Sequence, residues 1–346
     1  MDVPILAWLI LAAVILVMIA VDVLGHVRTP HAPTLKEAAW WSVAYVAMAI
    51  VFGFIVWAVW GAEYGGQYFA GYVTEKSLSV DNLFVFVIII AAFRIPRKYQ
   101  QEVLLAGIII AIVLRAVFIA AGVVVIENFS WVFYLFGAFL IWTAISQARQ
   151  GVETGEHDES EYHENRFVRT VRKIIPVTEG FVGGKLVTKV DGRRMITPML
   201  LAIIAIGSAD ILFAVDSIPA IFGLTKEPYL VFAANAFSLL GLRQLYFLID
   251  GLLDRLVYLH YGLAAILGFI GVKLLIHALH TNELAFINGG AEWHAIPEPE
   301  IPVSLAWIVG VLVLTVWASL RKNKRDAQVA AAEPHAVTEP RDGDPV

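Results

Sequence analysis

The chain has 346 residues, 59% of them hydrophobic and 16% charged, with a mean hydropathy of +0.74. Soluble domains are about 45–50% apolar and about 25% charged, so most water-soluble architectures, bulk disorder and coiled coil are excluded. A net charge of −5 and a pI near 6.0 leave no basic footprint for a nucleic-acid partner. With no cysteine, disulfides, thiolate metal sites and cysteine nucleophiles are excluded as well.

The apolar excess is gathered into runs long enough to cross a bilayer, which takes about 20 residues. Nine spans are expected, near 4–25, 38–60, 72–93, 102–126, 131–148, 196–223, 229–249, 256–280 and 303–320. The fold class is therefore an all-α polytopic membrane protein, with the lipid bilayer as its surroundings. Only Met1-Asp2-Val3-Pro4 precedes the first run, without the positive segment of a cleaved signal peptide, so that run reads as a retained helix. Spans three and six contain acids and are weak by hydropathy, but loop charge supports the count. The connections 26–37, 94–101, 149–195, 250–255 and the tail from 321 hold 20 of the 25 Lys and Arg residues. Positive charge stays cytoplasmic, which puts the N-terminus outside and the C-terminus inside, and an odd number of spans follows.

The division expected is a transmembrane transporter domain, 1–320, with a cytoplasmic loop at 149–195, and a disordered cytoplasmic tail, 321–346. Within the loop, His157 and His163 stand among acids. A metal-sensing loop is conceivable there, but a solvated charged linker is the simpler reading. The tail opens on Arg321, Lys322, Lys324 and Arg325 before turning to Ala, Pro and acids.

Spans three to five look like a copy of spans six to eight. Ser79-Val80-Asp81-Asn82-Leu83-Phe84 and Ser208-Ala209-Asp210-Ile211-Leu212-Phe213 share the pattern S-x-D-x-L-F. Leu114-Arg115 with Phe118 then matches Leu242-Arg243 with Tyr246, and Gly137 roughly matches Gly268. The two copies run in opposite directions across the membrane. Inverted repeats of this kind are common in secondary transporters, which bind substrate near the midplane where the repeats meet.

The acids carry the chemistry. A carboxylate at the bilayer centre costs about 2.5–3.5 kcal/mol even on lenient insertion scales. Asp81 and Asp210 lie in the repeated motif; Glu75 lies six residues before one and Asp216 six residues after the other. Six residues of helix rise about 9 Å, so Asp81 and Asp210 form an inner pair and Glu75 and Asp216 an outer pair, a ladder leaning outward. Six residues also turn a straight helix by about 600°, which leaves the two acids of one helix roughly 120° apart. Gly207-Ser208 and Pro219 offer the means to break span six. Ser79, Asn82, Ser208 and Ser217 add neutral oxygens. An all-oxygen set suits hard divalent cations such as Mn²⁺, Mg²⁺ or Ca²⁺.

The bland alternative is that the acids only pair with the intramembrane bases Arg115, Arg243 and Lys273, with Lys76 close by. Arg115 and Arg243, at equivalent repeat positions, read as structural or gating residues. Asp22 with His26 reads as a solvated helix end or an inner vestibule, and His277 and His280 as interfacial. The Trp and Tyr residues near span ends read as an aromatic belt. Gly65-Gly66 reads as a loop without a phosphate-binding role.

The run Glu75-Lys76-Ser77-Leu78-Ser79-Val80-Asp81-Asn82-Leu83-Phe84-Val85-Phe86 closely resembles the first signature of the TerC family. Ala209-Asp210-Ile211-Leu212-Phe213-Ala214-Val215-Asp216-Ser217-Ile218-Pro219-Ala220 resembles the second. The resemblance covers residues 1 to about 320. It implies a bacterial inner-membrane protein, historically tied to tellurite resistance, from a family with manganese-exporting members. Its implied ion-binding acids are Glu75, Asp81, Asp210 and Asp216.

Two functions are expected from this combination. The first is export of a divalent cation, Mn²⁺ by the resemblance, with no permanently bound cofactor and no enzymatic activity. The second is a membrane-embedded assembly or stress-resistance factor in which the acids are structural. Moving a cation outward against an inside-negative potential costs about 2.3 kcal/mol per charge per 100 mV. No nucleotide motif offers that energy, so coupling to proton entry is the expected source.

Overall fold

The computed structural model describes residues 1–24, 34–93, 95–153, 176–178, 184–190, 193–249, 257–284 and 287–332. Inside its helices the side chains of a few residues, Asp81 and Asp216 among them, lie outside the description. His26, His157 and His163 also lie outside the described residues.

Ten α-helices, a 3₁₀ turn at Asn288–Gly290 and one small β-pair make up the regular structure of the described residues. The α-helices and strands are α1 Ile5–Asp22, α2 Leu35–Trp60, α3 Ala62–Ala92, α4 Arg97–Asn128, α5 Val132–Glu153, β1 Val187–Val190, β2 Arg193–Ile196, α6 Pro198–Phe222, α7 Pro228–Leu240, α8 Leu242–Ile249, α9 Leu259–His280 and α10 Ile301–Ala332. Eight stretches of the described residues are long and apolar enough to cross a membrane, with α7 and α8 counting as one, Pro228–Leu248. The exception is α3, whose 31 residues have ample length but carry Glu63, Glu75, Lys76 and Asp81. The chain is a multi-pass, all-helical integral membrane protein.

Local chemistry explains the helix boundaries. Thr34 caps α2 by accepting from the Glu37 N–H (3.3 Å). Pro198 and Pro228 open α6 and α7, where their missing N–H costs nothing. Gly61 separates α2 from α3 at φ +103°, a conformation that L side chains avoid. It lets α3 begin ten residues before the span expected from hydropathy, and Gly65-Gly66 falls inside that helix instead of in a loop. Gly207-Ser208 does not break α6, which runs unbroken from Pro198 to Phe222. Ser208 Oγ donates to the Ala205 carbonyl (2.9 Å) within the same helix, and Pro219, which cannot donate to the carbonyl four residues back, falls in the last turn and so disturbs only the helix end.

The core lies where α3, α4, α6, α7 and α8 meet; α2 packs on α3 and α8, and α5 runs along α9. Gly137 and Gly271 allow that last contact. A Cβ on Gly137 would lie 2.9 Å from the Gly271 carbonyl oxygen, and one on Gly271 would lie 3.0 Å from the Gly137 oxygen. Gly268 faces Ala144. The bundle's outside is apolar. Leu9, Leu16, Val43, Phe54, Val313 and Trp317 on α1, α2 and α10 are all exposed, a surface that hydrocarbon tolerates and water does not.

The segment expected as a charged linker, 149–195, holds structure at both ends. Helix α5 continues to Glu153, and β1 pairs antiparallel with β2, Val187 opposite Ile196 and Val190 opposite Arg193. At the other end of the chain, α10 runs twelve residues beyond the expected boundary at 320.

Candidate functional site

Arg115, near the middle of α4, is 1% exposed and organises the site. Its Nε and Nη2 donate to Asp210 Oδ2 (3.3 Å) and Oδ1 (3.1 Å), a two-pronged grip on one carboxylate from α6. Its Nη1 donates to Asn235 Oδ1 on α7 (2.7 Å) and to Ser217 Oγ on α6 (3.2 Å). The carboxylate of Glu75, from α3, forms an ion pair with the same Nη1. Glu75 and Asp210 are fully buried. Asn235 is fixed in its amide orientation because its Nδ2 donates to the Val231 carbonyl (2.9 Å). Planar guanidinium presents five N–H donors in a rigid fork, and here four residues from three helices offer it oxygens.

This arrangement cuts across the expected ladder. The spacing puts Glu75 at an outer level and Asp210 at an inner one, yet both reach one guanidinium. The side chains of Asp81 and Asp216 lie outside the described residues, so the quartet as a whole is not drawn. Among the described residues no three His, Cys, Asp or Glu side chains gather at metal-ligating geometry, and those two acids stand outside that statement.

The neutral oxygens are spread around this centre. Ser79 Oγ shares a hydrogen bond with Ser238 Oγ on α7 (3.1 Å), and Ser208 is turned back onto its own helix. Asn82 and Ser217 line a cavity of about 30 Å³ with Thr143 and Gln147, room for about one water molecule. The Asn82 amide nitrogen and the Thr143 hydroxyl have no partner among the described residues. Gln147 in turn meets His260 Nδ1 (3.1 Å) near the start of α9.

The other bases do not join the acids around Arg115. Arg243, at the start of α8, is fully buried and donates through Nη2 to Asp22 Oδ1 (2.6 Å). Tyr45 donates to the same oxygen (2.5 Å). Asp22 is 1% exposed, so the expectation of a solvated helix end there is overturned: α2 and α8 close over it. Lys76 donates to the Ser238 carbonyl (3.2 Å), and Lys273 donates to Ser304 Oγ on α10 (3.4 Å).

Lys273 instead lines a cavity of about 840 Å³ between the starts of α3, α7 and α10 and the ends of α6 and α9, together with Glu63, Lys226, Glu227, His277, Glu298 and Glu300. Burial pushes the Lys226 ammonium below its ordinary value against the pull of Glu298. For Glu298, burial alone would raise the carboxyl. The hydrogen bond and charge of His277 (3.0 Å), with the charges of Lys273 and His280, outweigh burial and hold it below the usual carboxylate value.

Sequence reasoning missed Asn235, Ser238 and Tyr45. A lone Asn in the apolar run Val231-Phe232-Ala233-Ala234-Asn235-Ala236-Phe237 was the available signal, since a buried amide in hydrocarbon demands a partner.

A family model for the integral membrane protein TerC family matches residues 60–327. The chain belongs to the TerC family. It is 49% identical to the uncharacterized membrane protein Rv2723 of Mycobacterium tuberculosis, over 94% of this chain and 82% of that protein. It is 40% identical to the uncharacterized membrane protein STKORF319 of Myxococcus xanthus, over 92% of each chain. The Alx protein of Escherichia coli K12, named as a proposed membrane-bound redox modulator, is 36% identical over 92% of this chain and 97% of its own. These relatives carry no enzymatic name. No solved structure matches the chain.

Proposed function

We propose that this TerC protein is a bacterial inner-membrane transporter that exports a divalent cation, Mn²⁺ in the first instance, through the carboxylates of spans three and six. The observation that carries this reading is the convergence of Glu75, Asp210, Ser217 and Asn235 on one point near the middle of the bundle. Ionisable groups at membrane depth are costly and mark ion pathways by default. A hard, oxygen-only set matches a hard divalent ion. Asp81 and Asp216, on the same two helices, complete the acid count.

An inverted repeat is part of this reading, and the helix contacts are those it calls for. A two-fold axis exchanging α3 with α6, α4 with α7 and α5 with α9 turns the contact of α3 on α7 into that of α4 on α6, and both are made. It also makes α5 and α9 face each other reciprocally, as Gly137 and Gly271 do. The positive-inside distribution supports an outside N-terminus and a cytoplasmic C-terminus.

One observation favours the second reading, an assembly or stress-resistance factor: Arg115 pairs with both acids in a buried network, hydrogen-bonding Asp210 and forming an ion pair with Glu75. A redox role like that in the name of Alx would not run through thiols of this chain, which has none. The deciding experiment is Mn²⁺ flux in proteoliposomes with internal and external pH varied independently. Transport lost in Asp81→Asn and in Asp210→Asn supports the transporter, and absence of any protein-dependent metal flux refutes it. Efflux indifferent to the proton gradient removes proton coupling alone.

A further inference from the structure

A buried salt bridge is weak evidence for stability, because desolvating the charges cancels most of their attraction. The Arg115 cluster therefore asks for another explanation. Four residues of the proposed transport site already turn oxygens toward one cation, and that cation belongs to the protein. Asp210 gives both carboxylate oxygens, Glu75 its carboxylate, Ser217 its hydroxyl and Asn235 its amide oxygen. Four helices contribute: α3, α6 and α7 bring the oxygens and α4 brings the charge.

We propose that Arg115 is a tethered counter-cation, its guanidinium occupying the oxygen site of Glu75, Asp210, Ser217 and Asn235 when no divalent ion is bound and exchanging places with the ion in each cycle. The proposal rests on the transporter reading and adds a selectivity mechanism to it. Two carboxylates and one guanidinium sum to −1; with a divalent ion in its place the sum is zero. A monovalent ion would only match the charge of Arg115 while forfeiting the bonds of the fork, so sodium and potassium cannot displace it. A divalent ion doubles the charge facing the carboxylates and can. When that ion departs, Arg115 returns, and Glu75 and Asp210 are not left bare in a low-dielectric interior.

The test is equilibrium Mn²⁺ binding to the full chain in lipid nanodiscs, for wild type, Arg115→Gln and Arg115→Lys. If Arg115 covers the oxygens at least about nine-tenths of the time, its removal tightens Mn²⁺ binding about tenfold or more, because a site open only part of the time has its affinity cut by that fraction. Lysine keeps the charge but loses the fork, so Arg115→Lys tightens binding by a smaller factor. Millimolar guanidinium ion should weaken Mn²⁺ binding to Arg115→Gln and leave wild type unchanged, and sodium should compete only in the glutamine variant. A purely structural clasp predicts none of these shifts. Wild-type binding with equal or weaker binding in both variants overturns the tethered cation and leaves the transporter standing. If the glutamine variant does not fold, the lysine variant decides by the same criterion. Absence of Mn²⁺ binding in wild type and variants alike overturns both.

Discussion

The Gly137–Gly271 contact yields a quantitative prediction. A Cβ at Gly271 would meet Ile141 Cγ1 at 2.9 Å, the Gly137 carbonyl oxygen at 3.0 Å and the Ile141 backbone nitrogen at 3.1 Å. Ordinary contact begins near 3.4 Å, and two of these three atoms are backbone, so α5 must retreat by about 0.4 Å. Overpacking of this kind costs about 1–3 kcal/mol. At Gly137 the same backbone oxygen problem recurs at 2.9 Å, with Leu275 also at 2.8 Å, so Gly137→Ala should cost a similar amount. One separation of the helices relieves both clashes, so the double variant should lose clearly less than the sum, by about 1 kcal/mol, as contacting residues couple. Unfolding in mixed micelles, followed by circular dichroism, measures all three. Single variants within about 0.5 kcal/mol of wild type, or strict additivity, would refute the reciprocal contact.

Asp210→Asn keeps the shape but removes a charge and turns one acceptor into a donor facing Arg115; Mn²⁺ affinity measured by dialysis should fall at least about tenfold, since dehydration of the ion is no longer offset. Asp22→Asn leaves Arg243 without its charge partner and should cost about 3 kcal/mol in the same unfolding assay. Tyr45→Phe removes a single hydrogen bond there and should cost about 1 kcal/mol. Glu298 has its carboxyl held below the ordinary value of 4.5 in the folded chain. Its stabilisation is therefore present above that ordinary value and lost as pH falls through the folded value. The melting-temperature difference between wild type and Glu298→Gln, tracked from about pH 6 to about pH 3.5, should shrink on acidification; a constant difference would contradict the His277–Glu298 pairing.

The spans were legible because each apolar run has to cover the hydrocarbon alone. Even α3, too acidic for hydropathy, was recoverable from the alternation of loop charge. The break between α7 and α8 at Gly241 was not, because the stretch on either side is apolar enough to count as one span even with Arg243 and Gln244 in it. The acids were legible as acids at membrane depth, but their grouping was not. Spacing along one helix reports height on a straight axis, whereas Glu75 and Asp210 meet through the long side chain of Arg115 on α4. Lys273 illustrates the same limit. By sequence it belongs with the buried charges, yet its face of α9 turns it to Ser304 and toward Glu298, away from Arg115.

Helix α10 has 32 residues, about 48 Å of rise, against about 30 Å of hydrocarbon. Its apolar part ends at Leu320, and Arg321, Lys322, Lys324 and Arg325 follow as further turns of the same rod. Tilt alone does not absorb the excess, since it would need about 50° where spanning helices reach about 40°. The rod therefore runs beyond the hydrocarbon by roughly three helical turns. Whatever engages the chain beyond Ala332 is held at arm's length from the bilayer surface, on a stiff mast with a positively charged collar at the headgroups.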